Sequence, residues 1–484
     1  MKVEGWRLKV ERERVKPRTS NLKPLPLSPV SLSLDPSVRL SFARDASGLE
    51  LVPDAVARPS SEEEVVDLLA RASAERTPVT PAGGQTSTTA ASIADRGLLL
   101  SLRGLDRIGE VDPERRTIRV QAGALLGEVK RRLAAQGLLF APDPTSEEDV
   151  TIGGAIACNA SGARSLRYGA TRPHVAALRV ALASGEILEV RRTRLEKNTV
   201  GYSLVHDPLD WFVGSEGTLG VVLEAELSLL PLPSSVTGLA VPFEREADAL
   251  DFVVAARDGA DVAPRCLEFF DGRALEIARA AEGSGHWAAG ASALIYLEEA
   301  SIDGEGPPLD AWLALAERFH AREGDILAYE GEAALRDARR VRHAIPATMN
   351  ERGARSRTAG GRKVSTDWAV PYGRLKETIV EARGLADMAG VEQAVIYGHA
   401  GNGHPHQNFI ARDAGELERI ERVVEETLKR VIAFGGTVAA EHGIGKLKRR
   451  WLPLQLTPIQ LGMMRAVKRE LDPHGLLAPG NLFE

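Results

Sequence analysis

Three glycine-rich segments in the first half of the chain constrain its fold more than any other feature. They read PAGGQTSTTA from residue 81, TIGGAIACNASGARSLRYG from residue 151 and VGSEGTLGVV from residue 213. A backbone without Cβ atoms can approach an anion or a flat ring closely, and consecutive N–H groups form a nest for phosphate oxygens. The first segment matches neither G-x-G-x-x-G nor G-x-x-x-x-G-K-[ST], so NAD and ATP are not the expected ligands. A single such segment is also compatible with a simple turn, but three in one domain indicate a cofactor site.

The sequence around these segments predicts an α+β fold in two parts. DAVARPSSEEEVVDLLARASAERTPVTPAGG reads as strand, serine-capped helix and strand, and Ser184-Gly185 is typical of a hairpin turn. Pro231 and Pro233 mark a boundary, after which strands alternate with long amphipathic helices such as AGELERIERVVEETLKRVIAF. We expect a charged, Pro-rich arm over residues 1–40, a first domain over 41–235, a second over 236–450, and a tail over 451–484 that returns to the first domain.

Composition limits the classes of protein to consider. At 484 residues the chain exceeds one ordinary core, and a net charge of -6 gives no basic field for nucleic acid. Cys158 and Cys266 are the only cysteines, which excludes a disulfide scaffold and an internal iron–sulfur cluster and favours a reducing, cytoplasmic location. No stretch reaches the ~20 apolar residues of a membrane span, although attachment at a membrane surface is left open.

Two later segments carry candidate metal ligands. YGHAGNGHPHQNF places His399, His404 and His406 within eight residues, and GGTVAAEHGIGK places Glu441 beside His442. Read singly, these are a flexible glycine-rich turn with solvent-exposed imidazoles and a surface Glu-His pair. Read together, they supply two imidazoles and a carboxylate, a sound ligand set for a divalent ion.

The three glycine-rich segments together resemble the FAD-binding domain of vanillyl-alcohol-oxidase-type flavoproteins, here followed by an α+β cap. Within that family the chain is similar to FAD-linked D-2-hydroxyacid dehydrogenases, and the resemblance extends from Asp45 onward. It implies non-covalent FAD, since no His or Cys stands where relatives tether the cofactor. It also implies the following FAD-lining residues: Ala82, Gly83, Gly84, Gln85, Thr86, Ser87, Pro144, Thr145, Thr151, Gly153, Gly154, Ala157, Ser161, Gly162, Gly220 and Val221.

The same resemblance implies roles for the second half. His399, His406 and Glu441 would bind one divalent metal, Zn or Mn, leaving His404 without an inherited role. His442 would be the catalytic base, with an ordinary pKa near 6.5. The segments ARRVRHAIP and GGRKVSTDWAVP would supply Arg342 and Lys363, and the histidine segment Asn408, to bind substrate. Without the resemblance, the run that includes Arg342 reads equally as a solvated helix face.

The sequence departs from the family pattern at two positions. Ala478 stands where Asn is usual, so any polar contact to FAD from there is lost or made by another residue. Asn402 replaces the more usual Asp of the histidine segment, which affects hydrogen bonding within that segment rather than the metal.

The predicted function is metal-assisted, FAD-dependent oxidation of a D-2-hydroxy acid, with hydride transfer to flavin N5. Electrons would leave to an external acceptor: a quinone, a cytochrome, an electron-transfer flavoprotein, a partner subunit or oxygen. A homodimer is left open. The alternatives are a non-redox synthase of the alkyldihydroxyacetone-phosphate synthase type, a non-haem Fe(II) oxygenase, and an electron-relay subunit without its own substrate.

Overall fold

The computed structural model describes residues 32–483, except 194, 203–206, 283–286, 302–305 and 307. The α-helices of the described chain are α1 (Pro36–Ser41), α2 (Glu62–Glu75), α3 (Leu126–Ala134), α4 (Ile152–Cys158), α5 (Ser165–Tyr168), α6 (Glu246–Asp258), α7 (Gly272–Glu282), α8 (Leu309–Arg318), α9 (Gly331–Arg355), α10 (Leu375–Met388), α11 (Ala414–Ala433), α12 (Leu452–Gln455) and α13 (Pro458–Leu471). The strands are β1 (Leu32–Ser33), β2 (Ala55–Ala57), β3 (Val79–Ala82), β4 (Leu98–Ser101), β5 (Ile108–Asp112), β6 (Thr117–Gln121), β7 (Leu138–Leu139), β8 (Val175–Ala181), β9 (Ile187–Arg191), β10 (Val221–Ser228), β11 (Leu230–Pro231), β12 (Ser235–Phe243), β13 (Pro264–Asp271), β14 (Ala293–Ser301), β15 (Leu327–Glu330), β16 (Gly360–Ser365), β17 (Val395–His399) and β18 (His404–Asp413).

Two sheets form the first part of the chain. One has the order β1-β2-β4-β3, with β2, β3 and β4 parallel, and the other is antiparallel with the order β5-β6-β10-β8-β9. The predicted strand, helix and strand after residue 54 are confirmed as β2, α2 and β3, and the Ser61 side chain accepts from the Glu64 N–H at the start of α2. The predicted turn at Gly185 joins β8 to β9, with φ of 88°.

A seven-stranded antiparallel sheet, ordered β15-β12-β14-β13-β17-β18-β16, organises the second part. Because side chains alternate along a strand, each face has its own character. One face is apolar and packs on helices in a core that includes Phe252 of α6, Trp312 of α8 and Val424 of α11. The opposite face carries Glu268 of β13, His399 of β17 and His406 of β18, and α9 packs on part of it. Glu268, His399 and His406 therefore lie on one side of the sheet.

Residues near both ends of the described chain join the first sheet. Leu32–Ser33 pairs with β2, so the described part of the predicted arm is attached to that sheet rather than freely solvated. Residues 1–31 of the arm lie outside the described residues. At the other end, Leu477 bridges Val79 of β3 in parallel, and the N–H of Ala478 donates to the carbonyl of Val79 at 2.8 Å.

A buried ion-pair cluster connects the two parts. Glu298 on β14 accepts from Nε of Arg164 at 3.0 Å and from Nε of Arg265 at 2.7 Å, and Tyr296 donates its hydroxyl proton to the same carboxylate at 2.9 Å. Burial alone would raise the pKa of Glu298, but the two guanidinium groups hold it well below its usual range. Arg164 lies beside α5 of the first part, and Glu298 belongs to the seven-stranded sheet of the second part. This buried ion pair therefore holds the two parts together.

Candidate functional site

A cavity of about 610 Å³ lies in the first domain, within the range of about 300–1,000 Å³ typical of ligand and cofactor sites. All three glycine-rich segments line it, and Glu441 and His442 from the second half of the chain also line it. Of the residues predicted to line FAD, the structure places the following at the cavity wall: Ala82, Gly83, Gly84, Gln85, Thr86, Ser87, Pro144, Thr145, Thr151, Gly153, Gly154, Ala157, Ser161, Gly220 and Val221.

The first two glycine-rich segments pack directly on each other. A Cβ on Gly84 would overlap the carbonyl oxygen of Asp149, and a Cβ on Gly83 would overlap the hydroxyl of Thr151. Thr151 in turn starts α4, because its hydroxyl accepts from the N–H of Gly154 at 3.2 Å. Side chains at these glycines would therefore separate the segments and fill the cradle between them. This cradle is what an extended diphosphate cofactor requires, so the residues fit FAD.

Two of the predicted lining residues have a different role in the structure. Gly162 does not line the cavity; a Cβ there would overlap the carbonyl oxygen of Asp143, so this glycine permits a close backbone contact. Gln85 lines the cavity, but its side-chain amide donates to the carbonyls of Phe42 and Ser92 at 2.9 and 3.2 Å. Its side chain is therefore held by the protein, and its backbone at φ 54° shapes the turn.

The three histidines lie on a β-hairpin, so their interpretation as a flexible, solvent-exposed turn is wrong. His399 is the last residue of β17 and pairs with His404, the first residue of β18, while His406 pairs with Tyr397. All three imidazoles are buried, with exposed fractions of 3, 4 and 6 %. The pairing of β17 with β18 therefore places all three imidazole rings on the same face of the sheet, which their spacing in the sequence alone does not show.

Glu441 lies between two of these histidines. Its Oε1 is 3.2 Å from Nε2 of His406, and its Oε2 is 3.3 Å from Nε2 of His399. Ligand atoms bound at about 2.1 Å to one ion are about 3.0–3.4 Å apart, so these separations suit a shared metal ion. Ser161 also donates to Oε2 of Glu441 at 3.4 Å. Ser161, a predicted FAD-lining residue, therefore contacts Glu441, a predicted metal ligand, where the cavity meets the seven-stranded sheet.

Glu268 is a site residue that the sequence reasoning missed. Its carboxylate is 1 % exposed, with Oε1 2.5 Å from Nδ1 of His399 and Oε2 accepting from Nε of Arg342 at 2.5 Å. Burial lowers the pKa of His399, but the charges of Glu268 and Glu441 outweigh burial and raise it to about 10. A carboxylate at Nδ1 leaves Nε2 to face Glu441, which is the usual support of a metal-binding imidazole.

Arg342 is buried, so the solvated-face interpretation of its run is wrong for this residue. The exposed fraction of Arg342 is 8 %, whereas the side chain of Arg340 is 80 % exposed. Its Nη1 donates to Thr145 Oγ1 at 3.3 Å, and its Nη2 is 3.5 Å from Nε2 of His399. Because Glu268 occupies Nε, only the Nη edge of the guanidinium remains for a substrate carboxylate.

Lys363 and Asn408 lie on the same face of adjacent strands. Asn408 is 1 % exposed, and its side-chain amide lies beside the buried hydroxyl of Tyr397. Lys363 is partly buried and donates to Asn350 at 2.6 Å, and burial lowers its pKa to about 8. It pairs with Ile410, two residues beyond Asn408.

Asp367 is a second residue that the sequence reasoning did not assign. It lies two residues beyond β16, and its side chain is fully buried. The ligand atoms of Asp367, His404, His406 and Glu441 lie within 4.8 Å of one another. The structure therefore offers an alternative to the predicted metal set, in which His404 and Asp367 replace His399.

His442 lies at the cavity wall in a position suited to exchange a proton. Its ring stacks on His406 with centroids 5.3 Å apart, and its Nε2 is 3.5 Å from Oε1 of Glu441. Burial lowers the pKa of His442 below its usual value, although the neighbouring Asp367 and Glu441 carboxylates oppose this. The imidazole is therefore neutral at neutral pH and able to accept a proton.

Three residues beyond Ala478, the side chain of Asn481 makes several polar contacts. Asn481 is buried, donates from Nδ2 to the carbonyls of Ala91 and Glu216 at 2.9 and 3.2 Å, and accepts from Lys446 Nζ at 2.8 Å. The Glu216 carboxylate accepts from the N–H groups of Ile444 and Gly445 at 2.6 and 2.7 Å. These contacts attach the segment that carries Glu441 and His442 to the third glycine-rich segment.

Comparison with protein families agrees with this architecture. Residues 53–191 match a model described as an FAD binding domain, and residues 232–482 match one described as the C-terminal domain of FAD linked oxidases. The class is therefore that of flavoproteins with an FAD domain followed by a second, α+β domain, which confirms the predicted fold. The chain belongs to the FAD-linked oxidase family and is an FAD-dependent oxidoreductase.

Named relatives cover nearly the whole chain. It is 31 % identical to glycolate oxidase subunit GlcD of Bacillus subtilis, with 92 % of each protein covered. It is 34 % identical to D-2-hydroxyglutarate dehydrogenase of Xanthomonas citri, with 89 % of each covered. It is 32 % identical to D-lactate dehydrogenase of Archaeoglobus fulgidus, covering 88 % of this chain and 90 % of that one. A solved alkyldihydroxyacetonephosphate synthase superimposes with a TM-score of 0.69 over 93 % of this chain and 82 % of its own, at 18 % identity, which shows the shared fold. Among the described residues no helix has the length and apolarity of a membrane span.

Proposed function

We propose that this chain oxidises a D-2-hydroxy acid of the D-lactate, glycolate or D-2-hydroxyglutarate class to the corresponding 2-oxo acid. The observation that carries the proposal is the meeting of two groups of residues at one cavity. Glu441 and His442 line the cavity that fits FAD; Glu441 contacts His399 and His406, and His399 lies beside Arg342 of α9. The names of three relatives point to the same substrate class.

The domain assignment follows from this site. Residues 41–235 with 451–484 hold FAD, and residues 236–450 supply the substrate and metal ligands. FAD, which the three glycine-rich segments would hold, would supply the two-electron hydride acceptor for the Cα–H bond of the substrate. His399, His406 and Glu441 would hold a divalent ion, Zn or Mn, which lowers the pKa of a nearby hydroxyl.

Side chains of this protein bind the substrate and accept its hydroxyl proton. The Nη edge of Arg342 binds the substrate carboxylate with charge-assisted hydrogen bonds, and the buried amide of Asn408 adds a further hydrogen bond. Lys363 contributes a positive charge on the same face of the sheet. Nε2 of His442 accepts the hydroxyl proton as the carbonyl forms, so the O–H and C–H bonds of the substrate are both broken.

The test is anaerobic mixing of the purified flavoprotein with a panel of D- and L-2-hydroxy acids while flavin absorbance is followed. We expect D-acids to bleach the flavin and the colour to remain lost until an external acceptor such as a quinone analogue is added. A flavin that dithionite reduces but no acid reduces would contradict the proposal and favour the electron-relay or synthase alternatives. L-acids serve as the matched control, because they place the Cα hydrogen on the opposite side.

A further inference from the structure

Asp367 holds the backbone of the segment that carries Glu441 and His442. Its Oδ1 accepts from the N–H of Glu441 at 3.2 Å, and its Oδ2 accepts from the N–H of His442 at 3.0 Å. The backbone carbonyl of Asp367 also accepts from the N–H of Ala440 at 2.8 Å. Three consecutive residues are thus held by one residue that follows β16.

The same carboxylate faces the side chain of His442. Oδ1 is 3.5 Å from Nδ1 of His442, while Nε2 of that ring faces Oε1 of Glu441, also at 3.5 Å. Because a carboxylate oxygen lies at the same distance from each ring nitrogen, these contacts hold the orientation of the ring but do not select its tautomer. Such contacts are often long before substrate binds and shorten in the reacting complex. His404 approaches the same oxygen, with its Nε2 3.0 Å away.

The lysine beside Asp367 argues against this carboxylate as a metal ligand. Lys448 is buried, and its Nζ donates to Oδ2 at 2.6 Å. With two N–H donors already in place, both carboxylate oxygens are occupied, and an ammonium group at this distance would repel a divalent ion. The four-residue group of Asp367, His404, His406 and Glu441 is therefore better described as two ligand residues and a supporting carboxylate that also contacts His404.

We infer that Asp367 is a positioning residue that holds the backbone at Glu441 and His442 and thereby sets the ring orientation of His442. The inference rests on the proposed function, because it gives His442 the role of proton acceptor. Asp367 does not touch substrate or cofactor in this assignment; its effect on the rate comes through the position of His442. Its contribution to the rate therefore cannot exceed that of His442 itself.

The experiment compares Asp367→Asn with a matched control, Asp472→Asn. Asp472 is also fully buried and accepts from two N–H groups, of Leu476 and Leu477 at 3.0 and 2.8 Å, and from Lys468 Nζ at 2.5 Å. The two variants lose similar hydrogen bonds, but Asp472 contacts Lys468, Leu476 and Leu477 where Asp367 faces a histidine. We measure the rate constant of anaerobic flavin reduction, the substrate Kd, FAD content and metal content.

Asp367→Asn should lower the rate constant of flavin reduction by about 10–10³-fold, within the range of about 10²–10⁴ for a lost general base. The substrate Kd, FAD content and metal content should stay unchanged. Asp472→Asn should keep the wild-type rate constant. Loss of the metal from Asp367→Asn would show that Asp367 acts on the metal site, as a ligand or through Glu441, and would overturn the inference.

A double variant separates positioning from general damage. If Asp367 acts through His442, adding Asp367→Asn to His442→Ala should cost no further rate, because the residue it positions is gone. A double variant slower by the product of the two single effects would overturn the inference. A wild-type rate in His442→Ala contradicts the proposed function itself, whereas a slow His442→Ala with an unaffected Asp367→Asn contradicts only the inference. If Asp367→Asn does not fold, Asp367→Glu, which retains the charge, enters the same cycle with the same criterion.

Discussion

Metal binding to this protein should release one proton per ion at neutral pH, and the proton should come from His399. The carboxylates of Glu268 and Glu441 outweigh burial and raise the pKa of His399 to about 10, so its imidazole is protonated in the metal-free protein. Burial lowers the pKa of His406 to about 3, so that ring is already neutral. Among the three proposed ligands, only His399 must therefore lose a proton when an ion binds.

The free energy needed to remove this proton at pH 7 follows from the difference between pH 7 and the pKa of His399. Three pH units correspond to about 4 kcal/mol, or about a thousandfold in apparent affinity. The sign is fixed, because a proton that occupies a ligand competes with the metal, and raising the pH removes the competitor. Apparent affinity should therefore rise about tenfold per pH unit and level off as the pH approaches 10.

The assay is calorimetric titration of metal-free, FAD-loaded protein with Zn²⁺ in two buffers of different ionisation enthalpy. The difference between the two heats counts the protons released between about pH 6.5 and 8.5. Glu268→Gln is the informative variant, since it removes the charge that raises the His399 pKa and should reduce the proton count toward zero in the upper half of this range. Release of no proton by the wild-type protein, or of two, would refute the assignment of ligands and their protonation.

Three further predictions follow from other contacts. Gly84→Ala should lose FAD, because its Cβ would overlap the Asp149 carbonyl oxygen, whereas Gly384→Ala, with open space around it, should keep FAD; released flavin measures both. Arg342→Ala should lower kcat/KM about a hundredfold with FAD content unchanged, and an unaltered kcat/KM would exclude its carboxylate contact. Glu298→Gln should destabilise the protein by about 3–5 kcal/mol, seen as a lower melting temperature, because it leaves buried guanidinium groups unpaired.

The sequence predicted the parts of the site that lie in local motifs. The glycine pairs, the histidines and the Glu441-His442 pair are each visible within a short segment; the structure places the glycine pairs, Glu441 and His442 at one cavity, and the histidines beside Glu441 and His442. Glu268 could not be found in this way, because PRCLEFFD reads as an ordinary buried strand and its partner His399 is 131 residues away. Only the register of β13 beside β17 places the two side chains together.

The flexible-loop interpretation of the histidine segment and the missing role for Asp367 have the same physical origin. The glycines between His399 and His404 suggested a flexible loop, but they make the tight turn of a hairpin whose strands hold both rings. Asp367 lies in a segment that the sequence analysis did consider, yet its neighbours Lys448 and His442 are donated by a distant part of the chain. Periodicity and spacing describe a segment, whereas these contacts depend on how segments are paired in the sheet.

The pairing of Leu477 with Val79 has a consequence for the order of events during synthesis. Domains near the N-terminus usually fold first as the ribosome elongates the chain, at about 5–20 residues per second. Here the outer strand of the first sheet waits for a partner made roughly 400 residues later, a delay of about 20–80 s. During that time the backbone of β3 is an open edge available to other strands. The nascent chain is therefore most exposed to aggregation before residue 477 emerges, and the flavin domain completes its folding only after the second domain has been made.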